Sequence, residues 1–87
     1  MSLFRLSVVT GEATVFDGQV ECVNIPTGFG SVGILAGHAE MLCAVEAGLL
    51  RCRWSEGSAQ IRVGAGVLNV DHDQVTLLVS QAEVLEG

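Results

Sequence analysis

The chain has 87 residues, 49% of them apolar and 5% aromatic, and its four arginines against ten carboxylates give a net charge of −6. That length suits one small domain spanning residues 1–87, near the size at which a single core only just offsets chain entropy. The charge opposes the phosphate attraction behind most nucleic-acid affinity, and no apolar run reaches the ~20 residues that a membrane-spanning helix needs.

Strand signals begin with residues 4–10 and continue through 13–16, 19–25, 30–35, 41–46, 48–54, 59–64, 67–71 and 74–80. They are separated by Gly, Asp, Asn or Ser at the spacing of an all-β sandwich or barrel, and no helical periodicity interrupts them. Alternation is clearest where Leu50, Cys52 and Trp54 fall on one face with Arg51 and Arg53 on the other, and where Ile61 and Val63 oppose Gln60 and Arg62. Residues 55–58 predict a hairpin loop between two of these runs, and 71–74 a turn between the last two. Residues 75–79, Val-Thr-Leu-Leu-Val, alternate weakly, which predicts a strand covered on both faces. The expected fold is therefore a small antiparallel β-sandwich or flattened barrel of about nine to ten short strands.

The first five residues lack the basic segment and apolar stretch of a secretory signal, so export is not expected. Cys22, Cys43 and Cys52 are odd in number and contain no Cys-x-x-Cys pair, which argues against a disulfide framework or a zinc site. All three read as small core groups in a reducing compartment.

Four features invite chemistry. His38, between Gly37 and Ala39, has an ordinary pKa suited to proton transfer, with Glu40 expected on its strand face, but no Ser or Cys stands in a nucleophile signature. A turn or contact histidine fits better. Asp71-His72-Asp73 offers metal-ligand atoms, yet successive residues of an extended chain point apart and no fourth ligand is evident, so a solvated tip is expected. Gly28-Phe29-Gly30 and Gly64-Ala65-Gly66 match neither phosphate-binding glycine pattern, and lysine is absent. These glycines read as positions of positive φ or close backbone approach. Phe29 is either an exposed contact anchor or a ring folded back over the end of the sandwich.

The stretch Ile25-Pro26, then Val32-Gly33-Ile34-Leu35-Ala36-Gly37-His38-Ala39-Glu40-Met41-Leu42, resembles the epsilon subunit of F-type ATP synthases, where a Val/Ile-Pro strand leads through a Gly-rich turn into Phe-Gly-Val-Leu-Pro-Gly-His-Ala-Pro-Leu. The resemblance continues through Ala47-Gly48-Leu49-Leu50-Arg51, through Val63-Gly64-Ala65-Gly66-Val67-Leu68-Asn69-Val70, and through Val75-Thr76-Leu77-Leu78-Val79 to Ala82-Glu83. It implies a non-catalytic central-stalk subunit without cofactor or metal, bound to gamma along one flank and to polar loops of the c-ring at one end. Such a subunit sits peripherally on the cytoplasmic face of the bacterial inner membrane, or its organellar counterpart, without inserting.

Carried over position by position, the resemblance implies gamma contacts at His38, Ala39, Glu40, Met41 and Leu42. It implies c-ring contacts at Gly28, Phe29, Gly30, Ser31 and Val32. Two departures bear on these surfaces. The acidic residues that many members carry near Phe29 and Ser31 are absent, which predicts an unusually uncharged c-ring surface. The usual prolines are replaced by Ala36 and Glu40, which removes a fixed φ and leaves Glu40 free to pair with gamma. Epsilon subunits continue into a two-helix hairpin that inhibits hydrolysis and in some members binds ATP, whereas this sequence stops at Gly87. Whether a cut chain or a short version, it is expected neither to inhibit nor to bind ATP. The rival reading is a small acidic sandwich that binds another protein or a carbohydrate, for which the aromatics are few.

Overall fold

The computed structural model describes residues 2–86. Ten strands follow one another: β1 (Phe4–Val9), β2 (Thr14–Val20), β3 (Cys22–Thr27), β4 (Gly30–Leu35), β5 (Met41–Val45), β6 (Gly48–Trp54), β7 (Gly57–Val63), β8 (Gly66–Asp71), β9 (Gln74–Val79) and β10 (Ala82–Glu86). They hydrogen-bond in the order β10-β7-β6-β3-β5-β8-β9-β1-β2, with β4 on the remaining edge of β3. The β3–β5 junction is a single pair, Thr27 with Val45. There the sheet folds over into two halves, and β2 returns against β10 and β6. The all-β flattened barrel expected from the alternation is the fold observed.

Residues in register on alternate positions build the core. Leu6, Val8, Ile25, Leu50, Ile61, Leu68 and Leu77 are all buried, drawn from both halves, as one-sided strands require. Phe16 and Trp54 close the seam between β2 and β6 with ring centroids 6.0 Å apart. Thr10 shapes the β1–β2 turn by accepting the Glu12 and Ala13 N–H groups, each at 3.2 Å, the local competition that makes threonine a turn former.

Several sequence expectations are corrected. The run 19–25 is two strands broken at Glu21, whose N–H donates to the Arg53 carbonyl at 2.7 Å. Val20 and Val23 both face the core, and a spacing of three cannot fit one period-2 strand. β2 pairs with β1 and β3 with β6, so the bend at Glu21 carries the chain from one half to the other. Residues 75–79 are not covered on both faces, because Leu78 is 55% exposed between buried Leu77 and Val79. The loop expected over 55–58 is a two-residue turn, with Gly57 and Ser58 already in β7. β10 was not among the expected runs. Of the cysteines only Cys52 is buried, and burial pushes its thiol up to about 11. One pairing is not antiparallel: β1 runs parallel to β9, from Arg5 opposite Gln74 to Val9 opposite Leu78.

Candidate contact surfaces

The strand registers place the β3–β4 turn and the β4–β5 connection at opposite ends of β4, about 20 Å apart at strand rise. Residues 28–32 and 38–42 therefore belong to different ends of the barrel.

The β3–β4 tip is held from inside. Thr27 is buried, donates its hydroxyl to the Gly30 carbonyl at 2.7 Å and accepts the Phe29 N–H at 3.1 Å. Gly30 takes φ +102, a left-handed value open to glycine. This bracing presents Phe29 outward at 94% exposure, so the ring does not fold back. Gly28, Gly30 and Ser31 are exposed beside it, while Val32 is half-buried against the core. The expectation of an uncharged tip is corrected by a neighbour from another turn. Glu46, at the end of β5, donates its N–H to the Pro26 carbonyl at 3.1 Å. Its Oε1 lies 3.7 Å from where a side chain on Gly28 would begin. Sequence reasoning missed Glu46 because only the β3–β5 pairing brings the two turns together.

At the other end, Gly37 takes φ +79 and donates its N–H to Asp73 Oδ1 at 3.2 Å. His38 is half-buried, with its N–H on the Leu35 carbonyl at 3.2 Å and its ring Nδ1 2.7 Å from the Ala39 carbonyl. Glu40 does not pair with His38. Its carboxylate lies 3.5 Å from His72 Nδ1, which also meets Asp71 Oδ1 at 2.7 Å. The hydrogen bond that the Asp71 carboxylate accepts from the ring, followed by the Asp71 and Glu40 charges, raises the His72 pKa above the ordinary imidazole value. Asp71 and His72, expected to point apart, converge instead, and Glu40 joins them within 4.8 Å. The trio could offer a cation two carboxylate oxygens and one nitrogen, all exposed to competing water.

Met41 packs partly against the core, whereas Leu42 is 72% exposed. Leu42 opens an apolar stripe. Ala44 pairs Val67 across β5 and β8, and Val67 pairs Leu78 across β8 and β9; Val67 and Leu78 are 45% and 55% exposed. Sequence reasoning missed these two residues, although the consecutive Leu77 and Leu78 carried the signal, since adjacent strand residues face opposite ways. The outward face of the other half is polar, with Arg51 between Asn24 and Gln60.

Residues 3–84 match the family described as the ATP synthase delta/epsilon chain β-sandwich domain. The chain belongs to this family. It is 43% identical over 84 residues to the ATP synthase epsilon chain of Parasynechococcus marenigrum (strain WH8102), covering 97% of this chain and 61% of that one. It is 36% identical to the epsilon chain of Alkalihalophilus pseudofirmus, covering 97% and 63%. The chain thus spans about three-fifths of the length of these epsilon relatives. Its fold superposes with a TM-score of 0.89 on a chain of the Euglena gracilis mitochondrial ATP synthase, at 20% identity, covering 97% of this chain and 54% of that one. The corresponding values for the Tetrahymena thermophila central stalk and c-ring structure are 0.76, 17%, 91% and 64%. Family membership removes the rival reading of an unrelated acidic sandwich. Among the described residues no helix is long and apolar enough to cross a membrane.

Proposed function

We propose that the chain is the β-sandwich of an epsilon-type central-stalk subunit of F-type ATP synthase, which binds gamma and the polar loops of the c-ring and couples ion flow to ATP synthesis or hydrolysis without doing chemistry itself. The observation that carries this reading is the outward apolar stripe of Leu42, Ala44, Val67 and Leu78, continuous with the segment 38–42. Exposed apolar patches on small monomers mark partner surfaces. The stripe would seat gamma together with His38, Ala39, Glu40 and Met41, while the braced tip of Gly28, Phe29, Gly30, Ser31 and Val32 would meet the c-ring. Such a subunit works at the cytoplasmic face of the bacterial inner membrane, peripherally.

Two features support a passive role. His38 and Glu40 form no acid/base pair, and Ser7, which meets Asp17 Oδ1 at 3.3 Å, meets a carboxylate already bonded through both oxygens to Arg5, which leaves transmission of force as the service the surfaces can give. The test is reconstitution: the chain is added to an epsilon-depleted complex, and ATP hydrolysis and proton pumping are followed together. Restored coupling without strong inhibition is expected. Unrestored coupling refutes the stalk assignment, and strong inhibition refutes the passive role.

A further inference from the structure

The β3–β4 tip lacks acidic residues in its own sequence, yet Glu46 reaches it from the β5–β6 turn. We infer that Glu46 supplies the tip's charge, and that Glu46 and Phe29 together take up a cationic side chain, an arginine or lysine on a loop of the partner at this end of the barrel. The inference rests on the proposal that this end meets polar loops of the c-ring.

Three observations support it. Glu46 is exposed, and its Oε1 lies over the Gly28 backbone at 3.7 Å from the position a Cβ would occupy. A Cβ at position 28 would stand in ordinary van der Waals contact with that carboxylate. The Glu46 backbone is also held in place, because its N–H is bonded to the Pro26 carbonyl two residues before Gly28. Finally, Phe29 follows Gly28 directly and stands 94% exposed on a turn that Thr27 braces from below.

A carboxylate and the face of an aromatic ring both attract a guanidinium or ammonium, the one by charge-assisted hydrogen bonds and the other by its quadrupole. Neither group has another assignment: Glu46 makes no ion pair among the described residues, and Phe29 packs on nothing. Because the turns on both sides are tied by hydrogen bonds, both side chains project from backbone already ordered before the partner arrives, which lowers the ordering cost of binding. An apolar partner loop would strand the Glu46 carboxylate, and an acidic one would be repelled. The tip therefore selects for positive charge even though the loop that forms it has none.

Two measurements on the whole chain separate this inference from the reading beneath it. In the first, the blocked peptide Ac-Gly-Arg-Gly-NH2 and its citrulline counterpart are titrated against the labelled chain by NMR. Saturable shifts at Gly28, Phe29 and Glu46 are expected with arginine only, and are expected to vanish in Glu46→Gln, which keeps the backbone bond to Pro26. Equal shifts with citrulline, or shifts that survive Glu46→Gln, overturn the inference. In the second, binding to purified c-ring is measured from low to high salt. Glu46→Gln should lose about fivefold in affinity at low salt and flatten the salt dependence, the size of one exposed ion pair; Phe29→Ala should weaken binding at every salt concentration. If the c-ring binds and Glu46→Gln behaves as the parent chain, the inference about Glu46 fails alone. If the peptide shifts the tip but no variant or parent chain binds the c-ring, the proposed partner fails and the chemistry of the tip stands.

Discussion

Gly66 opens β8 opposite Val79 of β9 and Val45 of β5, and replacing it by alanine tests how closely the strands are packed there. A Cβ built on Gly66 would overlap the Leu78 carbonyl oxygen, and would lie 2.7 Å from the Val79 Cα and 2.9 Å from the Leu78 carbonyl carbon. These are backbone atoms, which cannot rotate away. An ordinary carbon–carbon contact needs about 3.5 Å, so the two strands have to separate by roughly 1 Å at this point. The hydrogen bond from the Ser80 N–H to the Ala65 carbonyl, at 2.9 Å, then exceeds bonding range, and buried Val79 and Val45 lose their packing. Overpacking of this kind typically costs 1–3 kcal/mol and each broken bond about 1 kcal/mol more, so Gly66→Ala is expected to lose about 3 kcal/mol in urea unfolding. Gly11→Ala is the control, since a Cβ there meets nothing within 4 Å, and its change should stay within about 0.5 kcal/mol. A loss below about 1 kcal/mol for Gly66→Ala would refute the close-approach account of this glycine.

Leu77 and Leu78 adjoin in sequence and separate in effect. Leu77→Ala should cost about 3 kcal/mol in chemical unfolding, whereas Leu78→Ala should leave the isolated chain within about 1 kcal/mol of the parent and weaken gamma binding instead. Equal destabilisation by the two would contradict the one-sided burial of β9. The Arg5 guanidinium bonds both Asp17 carboxylate oxygens, at 2.8 and 2.6 Å, and holds the Asp17 pKa below the ordinary carboxylate value. The stability this pair contributes is present above the unfolded-state pKa of about 3.9 and disappears as the pH falls through the depressed folded value. Thermal melts of the parent and Arg5→Gln should therefore differ by a constant amount at neutral pH and converge in acid; a gap as wide in strong acid as at neutral pH would count against it. Iodoacetamide at mildly alkaline pH should modify half-exposed Cys22 and Cys43 well before Cys52, whose thiol is pushed up to about 11, because the thiolate is the reacting form. Peptide mapping that finds Cys52 modified first would place it outside the core.

Much of this barrel is legible in the chain because one-sided burial writes a period of two. Leu50 and Cys52 against Arg51 and Arg53, or Ile61 and Val63 against Gln60 and Arg62, fix β6 and β7 from the sequence alone. The failures occur where another rule overrides that period. Glu21 sits at 8% exposure with Arg53 3.9 Å away, so a carboxylate at a bend reads as an ordinary outward residue of a longer strand. Val84 and Leu85, set between glutamates, give no clear face, and β10 went unseen. The contact surfaces divide in the same way. Residues 28–32 and 38–42 are contiguous and can be marked by their glycines and by resemblance. The Val67–Leu78 stripe, the Glu40–His72 contact and the placement of Glu46 arise from registers between distant strands, which local sequence does not encode.

The parallel ladder between β1 and β9 also governs how the chain reaches this state. Phe4–Val9 leaves the ribosome well before Gln74–Val79, and β2 can pair with one of its edges at once. Its other edge waits for Gln74 to emerge opposite Arg5. Until then Phe4, Leu6 and Val8, all buried at the end, present an apolar face and an open strand edge to solvent. Ladders closed over such a separation make folding slow and leave intermediates prone to association. The nascent domain is therefore most vulnerable to aggregation just before synthesis of its last strands, and holdase chaperones should engage it in that interval.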